Sequence, residues 1–231
     1  MILVESWARL VIGLLGLALL SPAWAQGVHP KSGRRIASVM GVGGADWLER
    51  EEREREESPS KAIELLDLKP GMIVADIGAG VGYYTIRMAK KVGPAGKVYA
   101  SDIQPEMLTL LRKRLDESKV TNVEMVLGTE TDPKLPLHTL DLALMVDVYH
   151  ELAQPQRMLR KLHKTLKDDG RLVLLEFRKE DPYVPIRPEH KMSVAEAKLE
   201  VEDEGFKLET VIPGLPWQHI LVFRKVSPSK P

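Results

Sequence analysis

Cysteine is absent from the sequence, which removes disulfides, thiolate metal sites, cysteine nucleophiles and a lipid-modified amino-terminal cysteine. A charge surplus is absent too: 33 lysines and arginines balance 33 aspartates and glutamates. Phosphate-backbone binding is driven by excess basic charge, so no nucleic-acid partner is expected. A long membrane-spanning run is also missing. The apolar stretch Leu10 to Leu20 is eleven residues long, short of the roughly 20 that a spanning helix needs.

That short run instead sits where an export signal would place it. Arg9 precedes it, Ser21-Pro22 interrupts it, and Ala23-Trp24-Ala25 before Gln26 fits the small-x-small pattern of a cleavage site. Residues 1–25 are therefore expected to be a signal peptide. The mature protein would then be exported, to the periplasm, with no stable membrane span left after cleavage.

Hydrophobic residues make up 44% of the chain, enough for a proper core. Residues 26–59 read as a linker and helical flap. From Gln26 to Gly44 the chain is glycine-rich and polar without periodicity. From Asp46 to Ser60 acids and bases alternate at i, i+4 spacing, as in an exposed helix ended by Ser58-Pro59. Such a run is either a solvated face or a lid that folds Trp47 and its arginines over a ligand.

Residues 60–226 form the expected domain, with a tail at 227–231. Helices are expected at Ser60 to Leu66, Tyr83 to Lys91, Pro105 to Ser118, Pro155 to Leu166 and Val194 to Glu204. Strands are expected at Met72 to Ile77, Lys97 to Ser101, Val123 to Leu127, Leu140 to Asp147, Arg171 to Phe177, and near Phe206 to Val211 and His219 to Arg224. Strands alternating with helices of this length predict an α/β, doubly wound and mainly parallel sheet. Asp169-Gly170 reads as a helix end, and Ser193 with Glu196 as a capping box. The connection "IPGLPW" is too short for a crossover helix, so the last two strands should be antiparallel neighbours.

Ligands of parallel sheets bind beyond the carboxyl ends of the strands, where the first strand turns into its helix. "VADIGAGVGYYT" (Val74 to Thr85) is that turn. Gly78-Ala79-Gly80 and Gly82 bare the backbone to a ligand. Their G-x-G-x-G spacing departs from the dinucleotide fingerprint G-x-G-x-x-G, and Asp76 before them would repel a pyrophosphate. A nicotinamide oxidoreductase is disfavoured on both grounds. Asp76 suits a cationic group instead, such as an amino group. Asp102, at the tip of the second strand, is placed to accept hydrogen bonds from both ribose hydroxyls. Thr129 and Glu130, in the loop after the third strand, are placed to meet an adenine edge, and Asp147, Tyr149 and His150 leave the fourth strand at the same rim.

Together with "VYASD", "DLALMVDVYHE" and "LHKTLKDDGRLVLLEF", this turn resembles the class I methyltransferases that use S-adenosylmethionine, over about Ser60 to Lys225. The resemblance implies the Rossmann-like methyltransferase fold, seven strands with the last inserted antiparallel. It implies that Asp76, Gly78 and Gly80 border the methionine part of the cofactor, Asp102 holds the ribose, Ile103 flanks the adenine, and Asp147 lies near the sulfonium. Thr129 stands where many members carry an acid.

Methyl transfer is a direct displacement at an activated carbon, so alignment and exclusion of water can supply most of the rate. A base helps where the acceptor carries a proton. His150 is the first candidate, with Tyr149 or Tyr83 as orienting hydroxyls. No metal is expected, since "HELAQ" has Gln154 where a zinc motif needs its second histidine, and His29, His138, His163, His190 and His219 show no ligand spacing. The expected function is methyl transfer from S-adenosylmethionine to a small-molecule acceptor. The alternative is a non-catalytic S-adenosylmethionine or nucleoside-binding protein of the cell envelope, because the cofactor is made in the cytosol and export separates the two.

Overall fold

A computed structural model describes residues 27–226. The segment 1–25, read as an export signal, lies outside the described residues, as does the tail 227–231. Among the described residues no helix is long and apolar enough to cross a membrane.

Seven strands form one continuous sheet: β1 (Ile73–Ile77), β2 (Lys97–Asp102), β3 (Val123–Leu127), β4 (Leu140–Val146), β5 (Leu166–Arg178), β7 (Phe206–Ile212) and β8 (Gln218–Lys225). Their order is β3-β2-β1-β4-β5-β8-β7. The first five are mutually parallel, whereas β8 runs antiparallel to both β5 and β7. An eighth strand, β6 (Lys191–Met192), pairs with the end of β5. The sheet therefore exceeds the expected seven strands by this two-residue piece, which ties the segment that follows β5 back to the sheet.

Alternation along the strands explains why both faces are covered. In β1, Ala75 and Ile77 enter one apolar cluster and Val74 the other; in β4, Ala143 and Met145 oppose Leu142 and Leu144. Successive side chains point to opposite faces, and all of these are buried, so helices must lie on each side. Leu159 and Leu162 of α6 (Pro155–Thr165) cover one face, and Met88 and Ala89 of α4 (Tyr83–Val92) cover the other.

Local signals set most boundaries. Pro105 opens α5 (Pro105–Glu117) and Pro155 opens α6 at a position whose N–H would be unpaired anyway. Gly93 ends α4, just after Lys90 and Lys91 in the last turn, where the helix dipole favours positive charge. Ser193 and Glu196 form the expected capping box at the start of α7 (Val194–Glu202).

Two expectations need correction. Asp169-Gly170 does not end a helix: Leu166 already takes extended backbone, and β5 begins there with an irregularity in its pairing to β4. Gly170 is packed so closely that a Cβ would lie 2.8 Å from the Leu140 carbonyl oxygen. The charged run 46–60 is not one exposed helix. It folds as α1 (Ala45–Leu48) and α2 (Arg53–Glu57), followed by α3 (Pro59–Leu65), and Arg53 and Glu57 are buried. The stretch ahead of it is docked as well. Val28 bridges to Arg35, and Arg34, 5% exposed, forks onto fully buried Glu200 of α7 with bonds of 3.1 Å from Nε and Nη2.

Candidate active site

The carboxyl ends of β1, β2 and β4 open together into a cleft of about 1000 Å³. The β1–α4 turn forms its floor. Gly80 has φ +53° and a Cβ there would meet Leu48 Cδ1 at 3.2 Å, so the Leu48 side chain of the flap packs directly over this bare backbone. Gly82 has a different role. A Cβ there would collide with Leu111 Cδ1 at 2.1 Å, which makes Gly82 the point of close packing between α4 and α5.

Asp102 ends β2 with both carboxylate oxygens fixed by backbone donors: the Gly80 N–H gives to Oδ2 at 2.8 Å and the Gln104 N–H to Oδ1 at 2.9 Å. Burial raises its pKa, against those two hydrogen bonds. Ile103 next to it is 39% exposed and lines the cleft with Met107, Thr129 and Glu130. A broad apolar wall beside a fixed carboxylate is the pairing an adenosine needs.

Asp76 lies deeper, in an adjoining hollow of about 320 Å³ that it shares with Gly78, Ala79, Gly80, Arg53, Tyr83 and Tyr84. Thr85 Oγ1 donates to Asp76 Oδ2 at 2.6 Å, and burial pushes the carboxyl up to about 6. Asp147 closes β4 with φ +53°, a left-handed conformation that aspartate tolerates better than most residues. Gln218 Nε2 donates to its Oδ2 at 2.7 Å, and burial holds its pKa well above the ordinary carboxylate range.

The flap supplies the roof. Trp47, Leu48 and Arg53 line the cleft, joined by Val39 and Met40. Arg53 donates to Glu57 Oε2 at 2.7 Å and to the Leu48 carbonyl at 2.8 Å, with its guanidinium 4.4 Å from the Tyr83 ring centre. Arg50 takes the other Glu57 oxygen at 2.6 Å and stacks 3.7 Å from the Trp47 ring centre. One buried carboxylate thus organises both arginines, and its neighbourhood fits the lid reading of the charged run.

His150 and Tyr149 stand differently. Both are buried in the turn Tyr149–Glu151 after β4, and neither lines the cleft. The Tyr149 ring packs 5.8 Å from the Arg34 guanidinium. His150 Nδ1 meets Glu176 Oε2 at 2.6 Å and its Nε2 meets His190 Nδ1 at 3.1 Å. Glu151 faces the cleft from this turn, with burial raising its carboxyl to about 7.

The cavity fits S-adenosylmethionine. Asp147 Oδ1 and Tyr84 Oη are buried without a hydrogen-bond partner among the described residues, and both residues line the cavity, which leaves polar atoms for a ligand. Glu57, Arg53, Glu176, Gln218 and Glu151 are the contributors that spacing alone does not single out. Arg53 and Glu57 show only as an i, i+4 pair, and Glu176 only as an acid in an apolar strand.

Known proteins point the same way. The family described as "Methyltransferase domain" matches residues 68–219. A ubiquinone/menaquinone biosynthesis C-methyltransferase from Hydrogenovibrio crunogenus is 33% identical over 119 residues, 51% of this chain and 47% of that protein. A protein-L-isoaspartate O-methyltransferase from Methanothrix thermoacetophila is 43% identical over 68 residues, 29% of this chain and 32% of that protein. The chain thus spans about half or less of these curated relatives. Among solved structures, an S-adenosylmethionine-dependent methyltransferase from Aquifex aeolicus superimposes with a TM-score of 0.77 at 29% identity, covering 81% of this chain and 100% of that one. With the glycine turn, the fixed Asp102 and the inserted antiparallel strand in place, the chain belongs to the methyltransferase-domain family, with S-adenosylmethionine as its cofactor.

Proposed function

We propose that the protein transfers a methyl group from S-adenosylmethionine to a small-molecule acceptor seated under the flap. The observation that carries this reading is the Asp102 carboxylate, held by the Gly80 and Gln104 N–H groups at the mouth of an apolar, roofed cleft. Asp102 would take the ribose hydroxyls, Ile103 and Met107 the adenine. Asp76 would face the amino group, and Arg53 would face the carboxylate of the methionyl end.

The cofactor supplies a methyl group already activated by positive sulfur. The chain has to hold the acceptor in line and keep water away. Trp47, Leu48, Val148, Leu152 and Met158 give the cleft its apolar wall, and Asp147 places a carboxyl at its edge. His150 and Tyr149 would act through the turn that carries Glu151, since their own side chains lie beneath it. The similarity to a carbon methyltransferase and to an oxygen methyltransferase supports methyl transfer without fixing the acceptor atom.

We also propose that the chain is exported through its first 25 residues. Export supports a second reading, a non-catalytic binder of the cofactor or its nucleoside in the envelope. Turnover separates the two: incubation of the protein with S-adenosylmethionine and a panel of small acceptors yields S-adenosylhomocysteine from an enzyme. A binder gives tight binding of both adenosyl ligands and no demethylated product.

A further inference from the structure

We propose that His150, His190 and Glu151 form a binding site for one divalent transition-metal ion of the zinc type, at the rim of the cleft. His150 Nε2 lies 3.1 Å from His190 Nδ1, and Glu151 Oε1 lies 3.9 Å from the first and 3.8 Å from the second. All three atoms fall within 4.8 Å of one another. Two nitrogens bound to tetrahedral zinc at about 2.0–2.1 Å stand roughly 3.3 Å apart, so the histidine pair is already at ligand spacing. The carboxylate must approach by about half an ångström, within the reach of a side chain rotation.

The surroundings of His150 carry the argument beyond a cluster of donors. Fully buried Glu176 accepts the Tyr149 N–H on Oε1 at 2.9 Å and meets His150 Nδ1 with Oε2 at 2.6 Å. A carboxylate acceptor fixes the proton on Nδ1, which leaves the Nε2 lone pair aimed at His190 and Glu151. A buried carboxylate behind a ligating histidine is the usual support of a metal ligand: it sets the tautomer and strengthens the donor. The other Glu151 oxygen receives the Met40 N–H at 3.4 Å, so Oε1 is the one turned to the histidines. Two histidines and one carboxylate leave a coordination position free. Because Glu151 lines the cleft, that position would take water or an oxygen of the acceptor.

Sequence spacing gives no hint of this site, because His190 comes 40 positions after His150. The loop Pro188–His190 brings it in, secured by the pairing of Lys191–Met192 with β5.

The test is titration of the untagged, full-length, chelator-stripped protein with cobalt(II), read by visible absorbance, and with zinc(II), read by calorimetry. S-adenosylhomocysteine binding is measured on the same samples. One ion per chain is expected, with affinity falling at least tenfold in His190→Ala and in Glu151→Gln. Glu176→Gln should weaken it about 10- to 100-fold, as loss of an outer hydrogen bond does. His138→Ala, a histidine outside the cluster, should leave it unchanged. His190 is partly exposed, so its variant tests the site without emptying the core. Binding below one ion per chain, or binding that His190→Ala leaves untouched while S-adenosylhomocysteine still binds, overturns the proposal. Loss of the adenosyl ligand with the metal retained would instead strike the methyltransferase reading and leave the metal site standing.

Discussion

Gly80 and Asp102, 22 positions apart in sequence, are joined by a 2.8 Å hydrogen bond from the glycine N–H to the aspartate Oδ2. The bond locks the tip of β2 to the turn after β1, so the two halves of the adenosine site are set by each other. Asp102→Ala removes the ribose acceptor and strands the Gly80 N–H. Hydrogen bonds to charged groups are worth about 1.5–3 kcal/mol, so the affinity for S-adenosylhomocysteine should fall roughly 10- to 100-fold by calorimetry. Asp102→Asn should lose less, because an amide oxygen still accepts.

Gly80 and Gly82 should respond differently to the same change. Both have positive φ, but an added Cβ at 80 meets only Leu48 Cδ1 at 3.2 Å while one at 82 meets Leu111 Cδ1 at 2.1 Å. Gly80→Ala is expected to fold with a loss of about 1–2 kcal/mol from its left-handed backbone and to bind cofactor poorly. Gly82→Ala should lower Tm clearly further, because its Cβ must displace the fully buried Leu111 side chain. Equal Tm values for the two would contradict this division of labour.

Asp76 ties both stability and affinity to pH. Its carboxyl is raised from 3.8 to about 6 by burial, with the Thr85 hydroxyl opposing. Between those values the unfolded chain has released its proton and the folded one has kept it. Stability should therefore decline as pH rises through that window and level off above it, by about 3 kcal/mol in all. Asp76→Asn should remove the decline, seen as a flatter urea midpoint between pH 4 and 7.

Binding should run the other way, because the ionised form of Asp76 attracts an ammonium. Affinity for S-adenosylhomocysteine is expected to rise with pH up to about 6 to 7 and then flatten, and Asp76→Asn should bind weakly at every pH. A pH-independent affinity in the unmodified protein would remove Asp76 from the amino-group role.

Glu57→Gln tests the roof. Arg50 and Arg53 both pair with this fully buried carboxylate, and breaking a buried pair on one side costs about 3–5 kcal/mol. The flap is the part that can yield. Limited proteolysis should cut between residues 45 and 58 in the variant well before the sheet unfolds, while the unmodified protein resists there.

The glycine turn, Asp76, Asp102 and the order of strands and helices were legible because each is a local matter: a pattern of apolar residues, a conformation open to glycine, an acid at a strand tip. The inner face of the flap was not. An i, i+4 array of charges supports a helix in water equally well whichever side is buried, and only the tertiary partners Tyr83, Tyr84 and the Leu48 carbonyl decide that Arg53 and Glu57 turn inward. The sequence places His150 at the end of the fourth strand, but the direction of its ring depends on Glu176 and His190, 26 and 40 positions away. The start of β5 at Leu166 is hidden from the sequence because Asp-Gly signals a break, and a strand irregularity satisfies that signal as well as a helix end does.

The placement of β8 has a bearing on the birth of the protein. This strand comes last among the described residues yet lies between β5 and β7, bonded to each. Until residue 225 has left the ribosome, two neighbouring strands keep open hydrogen-bonding edges, and the apolar side chains Ile220 to Phe223 have not yet filled the gap between them. A nascent chain of this kind waits in a sticky, half-zipped state. Its completion is a single late insertion: β8 ends at residue 225, 47 positions after β5 ends at 178, a gap of only a few seconds at roughly 5–20 residues per second of synthesis.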